Sequence, residues 1–228
     1  MNLQDFDAAI IDLDGTLIDT IGDFVVALNR MLDDLGLPPI DRDTIARMIG
    51  KGSEHLIASV LRHVRSGEEA DADLFARAFA RYQHHYLSIN GQHAPVFPGV
   101  VEGLEALSAA GLRLACLTNK PTAFVGPLLA AKALDRFFPV VFGGDAFERK
   151  KPDPLPLLKT CEALGTRLER TLMVGDSSND ARAARAAGCP VVLVSYGYNH
   201  GEPIGKVDAD GVIDSIAQLA RRSASTRP

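Results

Sequence analysis

Ala8-Ala9-Ile10-Ile11-Asp12-Leu13-Asp14-Gly15-Thr16 opens on four apolar residues and closes on two carboxylates and a glycine. A run that is apolar at every position fits a strand buried on both faces, as in a parallel sheet. Asp12 and Asp14 stand i, i+2 at the end of that strand, so they lie on one side if the strand continues, and Gly15 lets the chain turn just after them. Open α/β sheets bind ligands at this carboxyl edge. Asp-Gly is also an ordinary turn pair, and the balance between the two readings is decided by the rest of the chain.

Outward from residues 8–12, further short runs rich in Val, Ile and Leu predict strands at 112–118, 140–143, 172–176 and 191–195. Amphipathic stretches at 99–110, 122–133, 154–164 and 179–187 predict helices between them, with Gly111, Gly165 and Gly188 at the stops. A last helix is expected at 214–222, before a frayed Ser/Thr/Pro tail. The alternation specifies an α/β fold, a doubly wound, mainly parallel Rossmann-like sheet. Residues 13–111 are too many for one crossover. Helical periodicity at 20–35, 42–49, 53–64 (with Ser53 as N-cap) and 73–89, without a strand, predicts an inserted helical domain. The expected division is a core of 1–17 and 92–228 and an inserted helical domain of 18–91.

The 228 residues carry 24 Lys+Arg against 29 Asp+Glu, a net charge of −5, with 46% hydrophobic and 23% charged residues. That profile is of a globular protein and excludes disorder and collagen. It lacks the basic excess that phosphate-backbone contacts require, so no nucleic-acid partner is expected. No membrane span or signal peptide is expected either, which points to the cytoplasm. Cys116, Cys161 and Cys189 show no metal or redox spacing and read as small buried hydrophobes. Adjacent His84 and His85 diverge on a helix and read as a solvated face.

The strand ending at Gly175-Asp176-Ser177-Ser178-Asn179-Asp180 can lie beside the first strand's end, which crowds Asp12, Asp14, Asp176 and Asp180 into one pocket. Four negative charges so close repel strongly and need cations. A hard divalent ion with oxygen ligands answers this, and Mg2+ fits because it binds through a few carboxylates and keeps room for a phosphate; without His or Cys, zinc does not. Thr118-Asn119 offers a hydroxyl and backbone N–H groups ahead of a helix, a place for an anion or an ordinary cap. Lys151, held by Pro152 behind it, can supply positive charge. Between two of the inserted helices, the glycines of Gly50-Lys51-Gly52 suit a flexible interhelical turn.

In order along the chain, Asp12-Leu-Asp14-Gly-Thr, Thr118-Asn119, Lys151-Pro152 and Gly175-Asp176-x-x-x-Asp180 resemble the four motifs of the haloacid dehalogenase superfamily of phosphohydrolases. The resemblance implies that Asp12 is the nucleophile forming an aspartyl phosphate and that Asp14 protonates the leaving oxygen and then activates water. It implies that Thr118 and Asn119 hold the phosphoryl oxygens and that Lys151 orients and neutralises. Mg2+ would be held by Asp12, the Asp14 backbone oxygen and Asp176, with Asp180 as ligand or support. The insertion resembles that superfamily's smaller helical cap, which closes over the pocket and chooses the substrate, and this implies that the Gly50-Lys51-Gly52 loop, unless it is only a turn, brings its backbone amides and lysine to a substrate carboxylate on closure. Thr118-Asn-Lys-Pro-Thr122, Gly143-Gly-Asp145, Lys150-Lys-Pro-Asp-Pro154, Gly188-Cys-Pro190 and Tyr196-Gly-Tyr-Asn199 are similar to the bacterial phosphoglycolate phosphatases. That resemblance implies hydrolysis of 2-phosphoglycolate, carbohydrate metabolism and glycolate production. Phosphatases or phosphomutases acting on N-acetylmuramic acid 6-phosphate, hexose phosphates or pyrophosphate share the four motifs and form the alternative. The partner implied is a small-molecule phosphate monoester, and a homo-oligomer is left open.

Overall fold

A computed structural model describes residues 2–219. Six strands, β1 (Ala8–Ile11), β2 (Arg113–Leu117), β3 (Val140–Phe142), β4 (Thr171–Gly175), β5 (Val191–Val194) and β6 (Gly211–Ile213), form one sheet in the order β3-β2-β1-β4-β5-β6. Every pairing is parallel. β6 has no counterpart among the expected strands; at three residues it is too short to show a period.

Alternate residues of the strands feed two separate cores, as the pleat requires. Ala9, Ile11, Leu114, Cys116, Leu172, Val174, Val192 and Val194 pack on one face. Ala8, Ile10, Ala115, Leu117, Met173, Val191 and Leu193 pack on the other. Four cap helices come first in chain order, α1 (Ile21–Asp34), α2 (Arg42–Ala46), α3 (Ser53–Val64) and α4 (Ala72–Ile89). Next come α5 (Val100–Ala109) and α6 (Thr122–Ala131), which cover the first face through Val100, Leu104, Val125 and Leu128. α7 (Leu155–Leu164) and α8 (Ser178–Ala187) cover the second through Leu157, Leu164, Ala181 and Ala184. All three cysteines are buried and free. Helical backbone resumes at Ala217; the rest of the helix expected at 214–222, and the tail beyond it, lie outside the described residues.

The cap helices form a third apolar cluster, which includes Phe24, Leu28, Leu32, Leu56, Tyr82 and Tyr86 and takes in Phe124 from α6. Ser53 does not cap α3: Gly52 occupies that place and Ser53 begins the helix, buried. α2 ends at Ala46, because residues 47–50 tighten into a turn. The chain enters and leaves the cap as an antiparallel ribbon, with Ile18 bridged to Val96, Asp19 N–H donating to Pro95 O at 2.9 Å and Phe97 N–H to Leu17 O at 3.1 Å. Among the described residues, no helix is long and apolar enough to cross a membrane.

Candidate active site

The register brings the motifs together. Ile11 pairs with Cys116 on one side and Val174 on the other. Asp12, one residue on, and Thr118 and Asp176, two residues on, therefore emerge at the same carboxyl edge. Asp12 extends β1 by donating its N–H to Val174 O at 2.9 Å. Gly15 follows with φ +82°, and a Cβ there would stand 2.2 Å from Asp176 Oδ2, so no other residue fits the turn.

Lys151 crosses to this edge and is 3% exposed. Its Nζ donates to Leu117 O at 2.9 Å and to Asp180 Oδ1 at 2.6 Å. It stands 2.9 Å from Asp12 Oδ1, where the charges meet without an aligned hydrogen bond. Burial pulls its pKa down, but the Asp12 and Asp180 carboxylates outweigh burial and hold it above the usual lysine range. Asp180, at the start of α8, has its Oδ2 occupied by Ser177 N–H at 3.1 Å and Ser177 Oγ at 2.9 Å. Both its oxygens are thus committed to protein donors. Asp176 accepts Tyr198 N–H on Oδ2 at 2.7 Å, and its Oδ1 has no hydrogen-bond partner among the described residues.

Asp12, Asp176 and Asp180 each bring a carboxylate oxygen within 4.8 Å of the others. Burial pushes Asp12 up to about 7 despite Lys151, and burial with the neighbouring Asp180 and Asp12 charges pushes Asp176 well above the usual carboxylate range. Buried carboxylates under such strain, with all-oxygen donors and no His or Cys, fit a hard divalent cation. Asp12 and Asp176 are the pair with capacity left to hold it.

Asp14 faces a second buried lysine that the sequence reading passed over. Lys120 Nζ donates to Asp14 Oδ1 at 3.0 Å and Oδ2 at 3.2 Å, and to Tyr86 Oη of the cap at 2.6 Å. Thr118 is buried and its Oγ accepts Lys120 N–H at 3.2 Å. The Asn119 side chain serves the scaffold, donating to Lys151 O at 2.8 Å and Gly50 O at 3.0 Å.

The cap loop meets the core through Gly50, whose carbonyl also accepts from Asn179 Nδ2 at 3.0 Å. Gly50 and Gly52 line the pocket with Asp12, Asp14, Thr118, Lys120 and Lys151. The Lys51 side chain does not join them. With φ +106° at Gly50 and +89° at Gly52, the loop turns its carbonyl inward and leaves Lys51 exposed, in a separate depression beside Arg47, His55 and Arg62.

The profile of the haloacid dehalogenase-like hydrolases matches residues 9–194, and the chain belongs to that family. It is 46% identical to a phosphoglycolate phosphatase of Thiobacillus denitrificans over 93% of each chain. It is 45% identical to one of Nitrosospira multiformis over 94% of each. A crystal structure described as a predicted phosphoglycolate phosphatase from Haemophilus somnus superposes with a TM-score of 0.92 at 33% identity, covering 96% of this chain and 98% of that one.

Proposed function

We propose that the protein is a cytoplasmic, Mg2+-dependent phosphatase that hydrolyses 2-phosphoglycolate to glycolate and phosphate through an aspartyl phosphate on Asp12. The observation that carries the reading is that Asp12, close to Lys151 and Asp176, lines the same pocket as Asp14 and Lys151. The substrate follows from relatives of that name aligned over nearly the whole chain.

Asp12 and Asp176 would hold the magnesium ion, with the Asp14 backbone oxygen, while Asp180 keeps Lys151 and the start of α8 in place. When bound, the ion offsets the carboxylate charge and draws in the phosphoryl oxygens. Thr118 and the backbone around Asn119 receive those oxygens, and Lys151 neutralises them. An Asp12 oxygen attacks phosphorus; the Asp12–phosphorus bond forms as the bond to the glycolate oxygen breaks, and that oxygen takes the proton of Asp14. Asp14, now a carboxylate, then takes a proton from water, whose oxygen attacks phosphorus and releases Asp12 and phosphate.

The test is a panel of phosphate monoesters compared by kcat/KM, because turnover of one artificial ester cannot identify the physiological one. The expected result is a clear lead for 2-phosphoglycolate, lost in Asp12→Asn and in chelator. A lead for a hexose phosphate or for pyrophosphate would overturn the substrate assignment.

A further inference from the structure

Lys151 is fully engaged by Asp12, Asp180 and Leu117 O. The pocket holds a second ammonium that the phosphoryl chemistry leaves unused: Lys120, 4% exposed. Resting on the reading above, we propose that Lys120 binds the carboxylate of the substrate and so selects 2-phosphoglycolate over esters without a second anion.

Position is the first argument. To pass a proton to the leaving oxygen, Asp14 must touch it. In 2-phosphoglycolate a single methylene joins that oxygen to the carboxylate. Lys120 Nζ is hydrogen-bonded to both Asp14 oxygens, so it stands beside the place where the carboxylate arrives. Charge is the second. Among the described residues lining the pocket, the only cations are Lys120 and Lys151. The anion-binding role that the sequence suggested for Lys51 falls to a lysine inside the pocket.

The surroundings suit this role. An ammonium has three N–H donors, and Asp14 and Tyr86 supply acceptors in two directions. Burial keeps the Tyr86 phenol protonated, so it adds no competing charge. Lys120 Nζ lies over the Phe24 and Tyr86 rings, 4.8 and 4.5 Å from their centroids. An ammonium so stripped of water binds a carboxylate more strongly than an exposed one. Phe24, Ile49 and Leu56 contribute apolar surface to the same pocket.

The experiment compares kcat/KM for 2-phosphoglycolate and 2-hydroxyethyl phosphate, which replaces the carboxylate by an uncharged hydroxymethyl group. Wild type, Lys120→Met and Lys120→Arg are used, with thermal melts to check folding. Methionine fills the same aromatic slot without charge. The expected result is a wild-type preference for 2-phosphoglycolate that shrinks by about tenfold or more in Lys120→Met and persists in Lys120→Arg. Equal losses on both substrates in Lys120→Met would assign Lys120 to holding Asp14 alone and overturn the inference, as would an undiminished preference. If Lys120→Met does not fold, Lys120→Arg decides: a retained preference supports the inference and a lost one overturns it. Absence of the preference in wild type would instead contradict the proposed function.

Discussion

Asp12 and Asp176 sit buried with their pKa values raised, and the cause is first of all lost water. A carboxyl whose pKa is higher folded than unfolded binds more protons in the folded state, so raising the pH through that window destabilises the fold. For Asp12 the window runs from 3.8 to about 7. In chelator, the melting temperature is expected to fall by roughly several degrees as pH rises from 5 to 8, to recover with Mg2+, and to fall less steeply in Asp176→Asn. Equal slopes in wild type and Asp176→Asn would contradict the electrostatic account of the site. The aspartates were legible because each ends an apolar strand, where an unpaired carboxylate is costly. Lys120 was not, although the reasoning applied to Lys151 before Pro152 holds equally for Lys120 before Pro121; lying beside a helix start, it reads as part of a cap. Lys51 lies outside the pocket in this structure, because the positive φ values of the glycines on both sides direct the backbone inward and the side chain out.

The outgoing linker of the cap is held by one buried side chain at the start of α1. Asp23 Oδ2 accepts Gly91 N–H at 2.6 Å and Oδ1 accepts His93 N–H at 2.8 Å, so the outgoing linker is tied to the first cap helix. Gly22 permits the approach, since a Cβ there would lie 2.2 Å from His93 O. Removing the carboxylate strands two donors, which cost about 1–3 kcal/mol each when buried without a partner. Asp23→Ala is therefore expected to lower unfolding stability in urea by roughly 2–4 kcal/mol, with an unchanged midpoint contradicting the tie. Strand and helix positions were legible to within a few residues because period and turn residues agree there. The ribbon was not: Asp23 falls on a helix face, and its partners lie almost seventy residues on, beyond any local pattern.

At the scale of the molecule, the cap rests on the core through polar and aromatic contacts that surround the pocket. Tyr86 reaches Lys120, Gly50 O receives Asn119 and Asn179, and Lys150 pairs with Glu54 at 3.0 Å. Tyr86 packs on Phe124 of α6 with ring centroids 4.8 Å apart. Tyr198 links the carboxylate cluster to the incoming linker, its N–H on Asp176 and its hydroxyl on Asp19 Oδ1 at 2.6 Å. In the proposed mechanism such an enclosure would limit the water that reaches Asp12 before phosphoryl transfer, and the Asp12 phosphoryl intermediate is the centre of the account. Its most direct test is stereochemical: 2-phosphoglycolate bearing an isotopically chiral thiophosphoryl group is turned over in heavy-oxygen water and the configuration of the released thiophosphate is read. Transfer to Asp12 and then to water involves two in-line displacements, each inverting phosphorus, so the account predicts overall retention; inversion would mean that water attacks the substrate directly and would contradict the nucleophilic role of Asp12.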